Sequence, residues 1–160
     1  MSTTTPLAGP WMPTDGQRVQ TAIGGRGLNL DERIDAIEAG YEFMLAYAAQ
    51  GRLSDSDDSS SGVGFQLREF LGKMESALDG LGEEVAAVAR QHGAVDRGVE
   101  DFLDAVVDDA RKSLSLVRLV MSRPDISSML IDNVNGSIHL RALLTDLFVV
   151  SEAFKGAGQG

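Results

Sequence analysis

The residues able to do chemistry are few and poorly spaced for it. The chain has two histidines, His92 and His139, and no cysteine. A di-iron or di-manganese helical centre needs Glu-x-x-His on two helices. Three residues before the histidines stand Ala89 and Gly136, so the motif is missing twice. No His-x3-His zinc pair exists, and without cysteine there is no thiolate site, disulfide or thiol nucleophile. The acidic run at Asp55 looks like a calcium loop. Its sixth and twelfth positions are Ser60 and Gln66, where the loop needs Gly and Glu. Gly62-Val63-Gly64 opens like a dinucleotide loop, but Leu67 occupies the third glycine position and no strand precedes it. Gly24-Gly25-Arg26-Gly27 reads as a flexible linker. There is no phosphate-cradling Walker loop and no nucleophile elbow, and Asn135-Gly136-Ser137 is a glycosylation sequon only in form. The expectation is therefore no catalytic residue, no cofactor and no metal.

Arg33-Ile34-Asp35-Ala36-Ile37-Glu38 resembles the first helix of the all-helical chorismate mutases. The resemblance covers six residues and implies a cofactor-free enzyme in which Arg and Lys side chains hold a dicarboxylate. Departures are plain: this helix ends by Gly51, where the family's is much longer, and the other basic residues form no matching set.

Twenty-four acidic against 14 basic residues leave a net charge of −10. That balance disfavours nucleic acid and anionic membranes, both of which are bound mainly through Lys and Arg. The most hydrophobic stretch, Ile138–Phe154, is interrupted by Arg141, Asp146 and Glu152, so no membrane insertion is expected. No cationic leader with an apolar core opens the chain, and the expected location is cytoplasmic.

Three of four prolines lie at positions 6, 10 and 13, and the fourth is Pro124. The long proline-free interval leaves room for helices, and strand-like alternation is missing. Residues 1–28, rich in Thr, Pro and Gly, read as a flexible, disordered arm carrying one apolar pair, Trp11-Met12. Residues 29–155 read as a helical domain, and 156–160 as a disordered tail. The first helix is predicted over Leu30–Gln50. Asn29 is its N-cap and Glu32 completes a capping box, with Leu30, Ile34, Ile37, Tyr41, Met44 and Ala48 on one face. Residues 51–62 read as a solvated Ser/Asp-rich loop. The second helix starts near Val63 and ends at His92-Gly93, weakened or packed closely at Gly72, Gly80 and Gly82. The third runs Val95–Ser122, stopped by Pro124, with a turn rather than continuous helix before it. Its outer face is acidic through Glu100, Asp101, Asp104 and Asp108, then basic through Arg111, Lys112 and Arg118, as the helix dipole prefers. Asp125–Lys155 is helical, with a break expected at Asn135-Gly136. Four such segments with short connections predict an all-α fold, an antiparallel four-helix bundle.

The last helix is apolar on more than one side. Leu140, Leu143, Leu147, Val150 and Phe154 form one strip. Ile138, Ala142, Val149 and Ala153 form a second, and Leu144 and Phe148 lie on a third side. A peripheral helix needs one stripe only. The expected partner-binding residues are Trp11, Met12, Leu144, Phe148 and Val149. They point to a non-catalytic accessory protein (adaptor, assembly factor, chaperone or structural subunit) that contacts another subunit or forms a homodimer. An alternative is a sensor or carrier holding a small apolar molecule among Met44, Met74, Met121 and Met129.

Overall fold

A computed structural model describes residues 27–56, 62–93 and 96–154. Among them are six helices and no strand: α1 Leu30–Ala48, α2 Val63–Leu78, α3 Leu81–Gln91, α4 Arg97–Met121, α5 Ser128–Asn135 and α6 Ile138–Ala153. The all-helical expectation holds. Four expected segments become six because two of them break. No described helix is long and apolar enough to cross a membrane.

Each boundary has a local cause. Asn29 Oδ1 accepts the Glu32 amide at 2.9 Å, and Glu32 Oε2 accepts the Asn29 amide at 3.1 Å, the reciprocal box that the spacing predicts. Gly51 follows α1 with φ +66. The predicted second helix is divided at Asp79-Gly80, where Gly80 takes φ +79 and α3 starts afresh. Asp96 caps α4 by accepting the Val99 amide at 2.9 Å. Ser127 and Ser137 cap α5 and α6 across the break at Asn135-Gly136.

α1 packs mainly on α2 and α5, and α4 packs on α6, α3 and α2. Their shared core holds Ile37, Met44, Tyr47, Leu67, Met74, Leu81, Ile131 and Leu147 at full burial. Two glycines set how closely helices approach. A Cβ on Gly40 of α1 would strike the Met74 side chain, and one on Gly82 of α3 would strike Val107 of α4.

The loop after α1 is anchored where described. Asp55 takes the Ile126 amide at 2.8 Å and the Arg68 guanidinium, and Ser54 Oγ donates to Asp125 at 2.7 Å. Arg68 also donates to the carbonyls of Arg123 and Pro124, at 3.0 and 3.2 Å. Tyr47 Oη donates to the Ile126 carbonyl and Ser128 Oγ to the Tyr47 carbonyl, both at 2.7 Å. A solvated linker is thus the wrong description of Gly51–Ser56. It is part of a clasp joining the end of α1, the start of α2 and the α4–α5 connection.

Candidate functional site

The strongest candidate is the outward side of α6. Leu140, Leu143, Leu147 and Val150 turn into the core. At 100° per residue Ile138, Ala142, Thr145, Val149 and Ala153 fall on the opposite side. Ile138 is 68% and Val149 49% exposed, while Thr145 and Ala153 are exposed and Ala142 half-buried. Ile138, Ala142, Val149 and Ala153 are the second strip of the sequence reading, and all but Ala142 are exposed.

The structure separates the five expected partner-binding residues. Phe148 is 50% exposed on the flank of the stripe, next to Val149. Leu144 is only 8% exposed and belongs to the core, because its side of α6 is turned inward beside Leu140 and Leu147. Trp11 and Met12 lie outside the described residues, as do the rest of 1–26 and the tail from 155. Other large apolar side chains in solvent are scattered: Leu45 on α1 and Leu53 after it, Phe65 on α2, Val107 and Leu119 on α4, and Met129 on α5.

At the inner edge of α6, Asp146 meets Asp109 of α4 in hydrogen-bond contact between carboxyl groups. Burial raises the Asp146 carboxyl, and the Asp109 carboxyl raises it further, to about 7. One Asp146 oxygen, Oδ2, and the Ser113 hydroxyl one turn after Asp109 are buried with no hydrogen-bond partner among the described residues. Sequence reading missed this pair because nothing local couples positions on two distant helices. The one available signal is an acid set among Leu143, Leu147 and Val150.

Arg33, the basic residue of the mutase-like hexapeptide, is 7% exposed and committed elsewhere. Its guanidinium donates to the Leu28, Ala77 and Asp79 carbonyls at 3.0, 2.9 and 2.7 Å. It caps the C-terminus of α2, where orphan carbonyls and the helix dipole favour a cation. Its Nε and Nη1 are thereby engaged by the fold.

The basic end of α4 is also engaged. Asp108 pairs with Arg111 and Lys112 at 2.7 and 2.8 Å, and Arg118 reaches Glu75 of α2 at 3.0 Å. Hydrogen bonds from Lys112 and then Arg111 hold the Asp108 carboxyl below its usual range. No group of three metal-ligating side chains occurs among the described residues.

A cleft of about 450 Å³ lies between α1 and α2, lined by Leu28, Ala36 and Gly72 with Glu32, Glu69 and Lys73. None of the four methionines expected to line a pocket belongs to it. Met44 and Met74 fill the core, Met121 is half-buried and Met129 is exposed. No protein-family model, no curated protein and no solved structure matches this chain.

Proposed function

We propose that this chain is a non-catalytic helical accessory subunit that works by protein–protein contact through the outer stripe of α6. One observation carries the reading: α6 is apolar on both sides, one facing the core and the other, through Ile138 and Val149, facing solvent. A helix that only closes its own core has no use for the second stripe, and burying it on a partner gains roughly 25 cal/mol per Å². Arg33 supports a non-catalytic role, since its donors serve the fold. The proposal includes an antiparallel arrangement of the helical segments, a cytoplasmic setting, and the arm with Trp11 and Met12 as a second contact.

Affinity capture tests it with three baits: the intact chain, the chain lacking residues 1–28, and Ile138→Glu/Val149→Glu. The expected result is a companion, whether another protein or a differently tagged copy, that the charged α6 variant loses while melting like the parent. Equal capture by parent and variant overturns the proposal.

A second reading, a carrier of a small molecule, draws on the α1–α2 cleft, whose volume lies in the range of ligand clefts. Native mass spectrometry of the freshly purified chain checks it. A bound small molecule lost in Gly72→Leu favours the carrier.

A further inference from the structure

We infer that the cleft between α1 and α2 is the seat of this chain's own N-terminal segment, residues 1–26, with Trp11 and Met12 inserted between Ala36 of α1 and Gly72 of α2. The contact lies within one chain and goes beyond the α6 reading, which stands or falls apart from it.

The segment is rooted at the cleft. Leu28 lines the cleft, and Arg33 Nε donates to the Leu28 carbonyl at 3.0 Å, which fixes the point where residues 1–26 join the body. Trp11 stands 17 positions before Leu28. Fully extended, that tether reaches about 55–60 Å, twice the roughly 28 Å length of the 19-residue helix α1. A short tether holds its end at an effective concentration in the millimolar range. A contact too weak to form between separate molecules is therefore filled within one.

The chemistry of the two sides agrees. The cleft of about 450 Å³ has room for an indole and a thioether side by side. Leu28, Ala36 and Gly72 offer it carbon surface. Lys73 holds its ammonium 5.8 Å from the centre of the Phe70 ring, which stacks on Phe43 at 4.6 Å. Trp11 is the largest apolar side chain of residues 1–26, and a tryptophan buries roughly 150–250 Å². Pro10 and Pro13 restrict the backbone around the pair before it docks, which lowers the cost of ordering it. Glu32 and Glu69 stand exposed at the rim, and neither forms an ion pair among the described residues. Arg18 and Arg26, between Trp11 and the root, outnumber Asp15 in a chain whose net charge is −10. The rim carboxylates attract that basic tether. A partner that takes up Trp11 and Met12 must first draw them out of the cleft.

Trp11 is the only tryptophan, so the intrinsic fluorescence of the full chain reads this contact directly. Its emission is expected to be blue-shifted, and its quenching by acrylamide severalfold weaker, than in a synthetic peptide of residues 1–27. Both are expected to hold at every protein concentration. Ala36→Arg, which fills the cleft, and Glu69→Lys, at an exposed position, are expected to raise quenching toward that of the peptide while keeping the parent's circular dichroism. Val149→Glu is expected to leave it unchanged. A parent quenched as readily as the peptide overturns the inference, as does protection that survives in both folded cleft variants. Release by Val149→Glu instead seats the segment on α6 and overturns it too. Protection that fades on dilution gives the cleft to the segment of a second copy, and a small molecule held there beside a freely quenched Trp11 gives it to a ligand; either result sinks the proposal. The α6 reading is judged separately, by capture with Ile138→Glu/Val149→Glu.

Discussion

Asp109 on α4 and Asp146 on α6 bring their carboxyl groups into hydrogen-bond contact across the seam between the two helices. Such a contact needs a proton on one of them. Burial and the neighbouring carboxyl raise Asp146 from the ordinary 3.8 to about 7, so the fold holds a proton that the unfolded chain has lost. The stability this adds is complete below about pH 4 and disappears as the pH rises through 7. Asp146→Asn supplies the donor permanently. The variant is expected to match the parent near pH 4 and to exceed it at pH 8 by about 1 kcal/mol, after discounting for solvent screening at a half-exposed pair. Urea denaturation at both pH values measures it. A parent whose midpoint does not fall between pH 5 and 8 contradicts the shared proton.

Asp55 gives the opposite slope. Burial pushes its carboxyl up, but the Arg68 hydrogen bond, the Ile126 and Asp55 amides and the Arg68 charge together hold it below the usual range. Its contribution is present above about pH 4 and lost as the pH falls further. Asp55→Asn keeps an acceptor but loses the charge that Arg68 pairs with. It is expected to cost about 1–2 kcal/mol at pH 7 and to flatten the acid limb of the stability curve. An acid limb equal to the parent's would show that the clasp does not depend on this carboxylate.

Arg33 carries a third prediction. Its guanidinium satisfies the carbonyls of Leu28, Ala77 and Asp79 from a nearly buried position, and Gly80 beside it can turn to φ +79. Arg33→Met keeps the stem and strips away the donors, leaving carbonyls at the end of α2 without partners. The expected loss is about 2–4 kcal/mol. Arg33→Lys recovers little of it, since one ammonium cannot reproduce the planar fork. Chemical denaturation of both variants is the check, and full recovery by lysine would mean that charge alone suffices.

These relationships explain what was legible in the sequence. Caps are local: Asn29 with Glu32, and the turn at Asn135-Gly136, are written within a few residues, so both sit where expected. Helical period is local too, and it places the core strip and outer stripe of α6 correctly. Leu144 shows the limit. Its angle on the helix is readable, but whether that side meets solvent depends on where neighbouring helices lie. Asp109 with Asp146, Arg33 with Ala77, and Asp55 with Ile126 are separated by 37, 44 and 71 residues. Such contacts exist only once the helices have packed. The six-residue mutase-like pattern has the same limit, because an amphipathic hexapeptide does not say where its arginine points.

Glycine makes the same lesson measurable at two positions of one helix. By propensity alone, Gly64 and Gly72 in α2 should each weaken it by roughly 1 kcal/mol relative to Ala. Their surroundings differ. A Cβ at Gly64 would run into the backbone carbonyl of Asp55, which the clasp holds in place, whereas one at Gly72 meets nothing closer than the Met121 methyl at 4.0 Å. Gly64→Ala is therefore expected to destabilise by about 1–3 kcal/mol, since backbone must move to admit the methyl. Gly72→Ala is expected to stabilise by about 0.5–1 kcal/mol, through a less flexible unfolded chain and a better helix. Thermal melts of the two variants beside the parent are expected to move in opposite directions. Shifts of the same sign would mean that α2 does not lie against Asp55 as described.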